Sequence, residues 1–164
     1  MKKGDIVFIK GNSLISKAIT KMDKMSNGDN GKFSHVAIAV SSKHILQAEY
    51  SSKVSVVRFD TLMNEGKIKE YEVIDLKLDT LQREDLYRAS MTHIGKSYDY
   101  LQILSFLLNK LFGFKLINKR DRFICSELVI SSMDRADLLD GYDIDTLIDM
   151  TPNELYEFIK DYNS

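Results

Sequence analysis

Arg122-Phe-Ile-Cys-Ser-Glu-Leu-Val129 holds the single cysteine of the chain, and the rest of the sequence is read outward from it. Val129, Met133 and Ala136 recur on one side at helical spacing, which predicts a helix starting near Asp121 with Cys125 in its opening turn. With Asp121 as the cap, unpaired backbone N–H groups and the positive end of the helix dipole would favour the thiolate. The same N–H groups could hold the oxyanion of an acyl intermediate. A free cysteine among Phe123, Ile124, Leu128 and Val129 is equally what a small buried apolar residue looks like. The choice turns on whether another element brings a base.

The best base is His35, in Ser34-His-Val-Ala-Ile-Ala-Val40. It opens an apolar β-type run directly after Asp23 to Lys32, a stretch rich in Gly, Asn and charge that reads as a mobile surface loop. His93 falls on a helix face and His44 beside a turn, positions that suit a packed residue and a solvated one. A catalytic imidazole needs a third polar group to fix its tautomer. If Val36–Val40 and Ile45–Tyr50 form an antiparallel pair through Ser41-Ser-Lys43, Gln47 and Glu49 return beside His35 on one face, and either could accept the ring N–H.

Around these residues the chain reads as one α+β domain over 1–164. Ile6 to Ile9 is a short strand. Gly11-Asn-Ser then opens a helix with Ile15, Ala18, Ile19 and Met22 on one face. Val36–Val40, Ile45–Tyr50 and Val54–Phe59 form an antiparallel meander, and a fourth β element lies between Glu70 and Leu78. From Thr80 the period becomes helical, with Leu86, Ala89, His93 and Ile94 on one face and Gly95 as the stop. Tyr98 to Ile117 is the most apolar stretch. Asp99, Lys110 and Lys115 break it, so it reads as an amphipathic core helix in preference to a membrane-surface helix or a spanning one. Asp134 to Asp149 reads as solvated helix and loop. Thr151-Pro-Asn-Glu154 opens the last helix with a capping box and Pro at the first helical position.

Composition narrows the function classes. One cysteine excludes an intrachain disulfide and any multi-cysteine metal site. Neither Asp134–Asp149 nor Asn27-Gly-Asp-Asn-Gly31 has calcium-loop spacing, and no glycine-rich phosphate cradle follows the first strand, so neither metal nor nucleotide cofactor is expected. Lys plus Arg (23) nearly balance Asp plus Glu (24), which provides no field for steering onto nucleic acid. The apolar run after Met1-Lys-Lys is too short for a signal peptide, and a cytoplasmic setting is the simplest expectation.

Gly4-Asp-Ile-Val-Phe8, Ser34-His-Val-Ala-Ile38, Ile45-Leu-Gln-Ala48 and Phe123-Ile-Cys-Ser-Glu-Leu128, taken in this order, resemble the circularly permuted NlpC-type cysteine peptidase superfamily, in its YiiX/YebB-like branch. Gly95-Lys-Ser-Tyr-Asp-Tyr100 and Thr151-Pro-Asn-Glu-Leu155 extend the likeness across almost the whole chain. The resemblance implies a permuted papain-like fold, with an antiparallel sheet or small barrel packed against the cysteine helix. It implies Cys125 as nucleophile, His35 as general base and then acid, and a polar orienter on the next strand. Gln47 matches that third position, where relatives often carry Glu or His. Gln lacks the charge that stabilises an imidazolium, which keeps Glu49 in contention.

The implied reaction is attack of Cys125 on an amide or ester carbonyl of a peptide, peptidoglycan-stem-like or lipid-linked substrate. Leu101 to Leu116 would help to line an acyl pocket. The competing expectations are a catalytically silent peptide- or lipid-binding module of the same fold, and an interaction protein that uses the Asp23–Lys32 loop.

Overall fold

The computed structural model describes residues 1–13, 16–17, 19–21, 31–48, 53–96 and 124–164. Among these, five strands form one antiparallel sheet: β1 (Ile6–Gly11), β2 (His35–Ala39), β3 (His44–Gln47), β4 (Ser55–Arg58) and β5 (Ile68–Ile74), in the order β4-β3-β2-β1-β5. The helices are α1 (Phe59–Asn64), α2 (Thr80–Met91), α3 (Ile124–Arg135), α4 (Ile144–Leu147) and α5 (Pro152–Tyr162). The meander expected from the alternating runs is β2-β3-β4. β1 lies between β2 and β5, with Val7 opposite Ala37 on one side and Val73 on the other.

Two-residue alternation divides the sheet into faces. Ile6, Phe8, Val36 and Ile38 pack against Val129, Ile130 and Met133 of α3 and Leu155 and Ile159 of α5. Val7, Ile9, Ala37, Ala39 and Ile45 turn the other way, onto Leu62 of α1 and Ile68. Fully burying side chains of this size contributes roughly 1.5–3 kcal/mol each, and β1 and β2 bury both faces. That explains why they read as unbroken apolar runs while β4 shows alternating exposure.

Several expectations need correction. Val54–Phe59 was expected to be strand throughout, but β4 stops at Arg58 and Phe59 starts α1, where Phe59 meets Tyr71 edge-on. The fourth β element begins at Ile68, two residues before Glu70, because Lys10 and Gly11 of β1 extend the ladder past a bulge. Ile94 is 45% exposed instead of packed, since α2 ends at Met91 and a turn carries Ile94 off the helix face. Gly95 takes φ +79°, but it is not the stop: the helix is capped at Thr92, and the Gly95 N–H donates to the Val54 carbonyl. Asp134 to Asp149 is not wholly solvated: Leu138, Leu139 and Leu147 are buried against α5, and Asp143 caps the short α4.

α5 carries the full capping box: Thr151 accepts from the Glu154 N–H, Glu154 accepts from the Thr151 N–H, and Pro152 opens the helix. α2 has the same device at Asp79 and Gln82. Of the first expected helix, residues 16, 17 and 19–21 are helical, and Ile19 is buried. Ile15, Ala18, Met22, most of the Asp23–Lys32 loop, Glu49 and the Tyr98–Ile117 segment lie outside the described residues.

Candidate active site

α3 starts at Ile124, so Cys125 lies in its first turn as the sequence predicts. Asp121, the expected cap, is outside the described residues. The helix docks on β2. Cys125 belongs to the same apolar cluster as Val36, whose backbone N–H favours the ionised form of the sulfur. Among the described residues the β2·β3 ladder pairs Ile38 with Leu46 and Ala39 with Ile45. Val36, whose N–H favours the thiolate, directly follows His35 on β2.

The His35 Nε2 lies 3.0 Å from Gln47 Oε1. A carbonyl oxygen only accepts, so Nε2 carries the proton and the lone pair sits on Nδ1. Ile38↔Leu46 pairing puts Gln47 diagonally across from His35, and Gln47 is itself buried. Of the two orienters left open by the sequence, Gln47 contacts the ring, and Glu49 lies outside the described residues. His44 bonds Ser41 Oγ at the turn, and His93 is buried beside Lys96. Of the three histidines, His35 is the one that contacts Gln47, while His93 lies within reach of the charge of Arg135 at the far end of α3.

Burial dominates the electrostatics. It pushes the His35 imidazole down to about 4, partly offset by the Gln47 hydrogen bond. It also pushes the Cys125 thiol up, against the backbone N–H groups of Val36, Ser126 and Cys125 itself and the Ser126 hydroxyl. The helix terminus thus stabilises the thiolate as its position predicts, yet desolvation outweighs it. Both shifts favour the neutral forms, of the thiol and of the imidazole, at rest. Cys125 retains 7% exposure.

Ser126 is the residue that sequence reading passed over. Its hydroxyl is completely buried and makes no ordinary hydrogen bond at rest. The group it acts on is the neighbouring sulfur, whose ionised form its O–H favours. A hydroxyl next to the nucleophile was visible in Cys125-Ser126, but only burial distinguishes it from a surface serine.

The sequence matches, over residues 1–154, the family described as permuted papain-like amidase enzyme, YaeF/YiiX, C92 family. The chain belongs to that amidase family. Among solved structures it is similar to the metalloprotein yiiX from Escherichia coli O157:H7, at 20% identity and a TM-score of 0.56, covering 99% of this chain and 83% of that one. At this identity the likeness concerns the fold, and the five-stranded antiparallel sheet with its helices agrees with it. Among curated proteins no match is found. The permuted papain-like amidase fold expected from motif order is therefore the fold of this chain, in the open-sheet form among the described residues.

Among the described residues no helix is long and apolar enough to cross a membrane.

Proposed function

We propose that this member of the amidase family is a cysteine-dependent hydrolase or acyltransferase that cleaves an amide or ester bond through an acyl-thiol intermediate, with Cys125 as nucleophile, His35 as base and Gln47 as orienter. The observation that supports the reading is the Gln47–His35 contact one residue from Val36, whose N–H favours the ionised Cys125 sulfur.

Because thiol and imidazole are both neutral at rest, the proton moves as the bond forms. The Cys125 S–H gives its proton to His35 Nδ1 while sulfur adds to the substrate carbonyl carbon. Backbone N–H groups of the α3 first turn face the developing oxyanion. The imidazolium then protonates the leaving amine or alcohol as the C–N or C–O bond breaks, leaving a thioester. Water, or an acceptor alcohol or amine, is deprotonated by His35 and attacks the thioester. Departing sulfur recovers the proton. Gln47 holds Nε2–H throughout, which keeps the basic nitrogen toward the thiol.

The substrate class is a small peptide, an amino-acid-containing amide or a lipid-like acyl compound. The similar yiiX structure is titled a metalloprotein. Among the described residues here no three His, Cys, Asp or Glu side chains gather into a metal site, and His35 Nε2 is engaged by Gln47. No step is routed through a metal.

The test is turnover of a panel of peptidoglycan-stem peptides, N-acyl amino acids and lipid esters. Cys125→Ala should abolish it and His35→Ala should lower it by about 10²–10⁴-fold, with circular dichroism unchanged in both. Turnover undiminished in either folded variant would overturn the proposal.

A further inference from the structure

Asn153 sits in the first turn of α5, where Thr151, Pro152 and Glu154 fix the helix start. It is polar, yet 5% exposed, and its amide does not serve its own helix cap. It reaches instead across the molecule to the segment that enters β2. Asn153 Oδ1 accepts from the backbone N–H of Lys32 at 2.8 Å and of Phe33 at 2.7 Å, and Nδ2 donates to the Phe33 carbonyl at 2.8 Å. One side chain thus engages three backbone groups within two residues, immediately before Ser34 and His35.

The far side of the same segment is held equally firmly. Ser34 N–H donates to the Ile9 carbonyl at 3.0 Å, and Ser34 Oγ accepts from Gly11 N–H at 3.0 Å. Gly11 has no room for a side chain, since a Cβ there would stand 2.3 Å from Ser16 Oγ. Phe33 is itself wedged between Phe8 and Tyr156, with ring centroids 5.6 and 4.9 Å away. Residues 32–34 are therefore gripped from α5 and from β1, and His35 is the first residue beyond the grip. Its ring holds Gln47 at 3.0 Å, so a small rotation of the segment would spoil that contact and the direction of the ring.

From this clamp we infer that Asn153 is a positioning residue for the reaction, which sets the direction of His35 by fixing the backbone of Lys32 and Phe33. The inference rests on the reading of Cys125 and His35 as the reacting pair. It gives the Thr151-Pro-Asn-Glu-Leu155 segment a part in the chemistry, beyond starting a helix. Asn suits the task because one planar amide offers both an acceptor and a donor, matching a peptide's N–H and C=O together.

The experiment is a double-variant cycle in the full chain, with p-nitrophenyl acetate as acyl donor. It reads the rate of Cys125 acylation by mass and the His35 ring resonances by NMR. Asn153→Ala should slow acylation by about tenfold or more, as misplacement of a catalytic group does, and should alter the His35 Nε2–H resonance that reports the Gln47 bond. In the His35→Ala background the same change should add nothing further, because its effect passes through the ring. Asn153→Asp keeps the acceptor bonds but sets an oxygen against the Phe33 carbonyl where Nδ2 donates, so it should recover only part of the rate lost in Asn153→Ala. If Asn153→Ala does not fold, Asn153→Ser carries the same cycle.

A folded variant with the wild-type rate and ring resonance overturns the inference. So does an equal loss with and without His35. If instead the wild-type rate does not depend on His35 at all, the underlying reading of the site fails, which is a separate result.

Discussion

Replacing Gln47 by Glu changes one atom of a buried contact and converts a dipole into a charge. The pair is 3.0 Å apart, Gln47 is 3% exposed, and the imidazole it holds is pushed down to about 4. A carboxylate and an imidazolium about 4 Å apart at an effective dielectric near 20 attract by roughly 4 kcal/mol. Part of that is consumed in keeping the buried carboxylate ionised. What remains should lie near the 1.5–3 kcal/mol of a charge-assisted hydrogen bond, or about 1–2 pKa units. His35 in Gln47→Glu should therefore titrate near pH ~5–6 instead of about 4. Long-range ¹H–¹⁵N NMR of the ring nitrogens measures this directly, and at neutral pH the wild type should show the Nε2–H tautomer. An unmoved His35 titration in a folded Gln47→Glu protein would refute the assigned contact. A wild-type value already near 6.5 would refute the burial argument.

Acid should weaken the fold. His35 and His93 are both held down to about 4 from 6.5, so the unfolded chain binds more protons between those values. The stability is complete above about pH 6.5 and is lost as pH falls toward 4, by up to about 3 kcal/mol per histidine. Urea unfolding at neutral and acid pH should show this slope, reduced in His93→Gln; a slope unaffected by that change would contradict it. Ser126→Ala should raise the reaction pKa of the Cys125 thiol by a few tenths to about one unit, the size of one hydrogen bond, with no change in pKa refuting the role given to the hydroxyl. Arg83→Met should destabilise by about 3 kcal/mol, read by chemical denaturation. It removes the guanidinium that pairs with the buried Asp5 at 3.1 Å and with Asp75, and that donates to the Lys3 carbonyl; a loss below about 1 kcal/mol, the scale of a surface pair, would contradict it.

The elements most legible in the sequence are those whose local chemistry and tertiary setting agree. Thr151-Pro-Asn-Glu154 announced α5 to the residue, and Cys125 in the opening turn of α3 followed from a simple apolar period. Gln47 was legible as one of two candidates, because strand alternation puts 47 and 49 on the same face. The Gln47 contact itself is seen only in the folded chain, and Glu49 lies outside the described residues. α1 was missed because Phe59 continues the β-type run of Val56 and Val57, and Arg58, its N-cap, supplies no side-chain cap. The buried Leu138, Leu139 and Leu147 were hidden among the exposed Asp134, Asp137, Asp140, Asp143 and Asp145. The thiol's direction of shift was also misjudged: position in a helix can be read from sequence, whereas desolvation depends on what packs above it. Asn153 stood inside a recognised capping motif, and nothing local reveals that its amide serves a strand 120 residues earlier.

The central claim is tested most directly by following acylation of Cys125 with p-nitrophenyl acetate in the wild-type and His35→Ala proteins across pH. General-base transfer from a neutral pair predicts a wild-type rate nearly level through the neutral range, located on Cys125 by peptide mass, and a rate about a hundredfold or more lower in His35→Ala. Equal rates in the two proteins, each climbing tenfold per pH unit with thiol ionisation alone, would contradict the account.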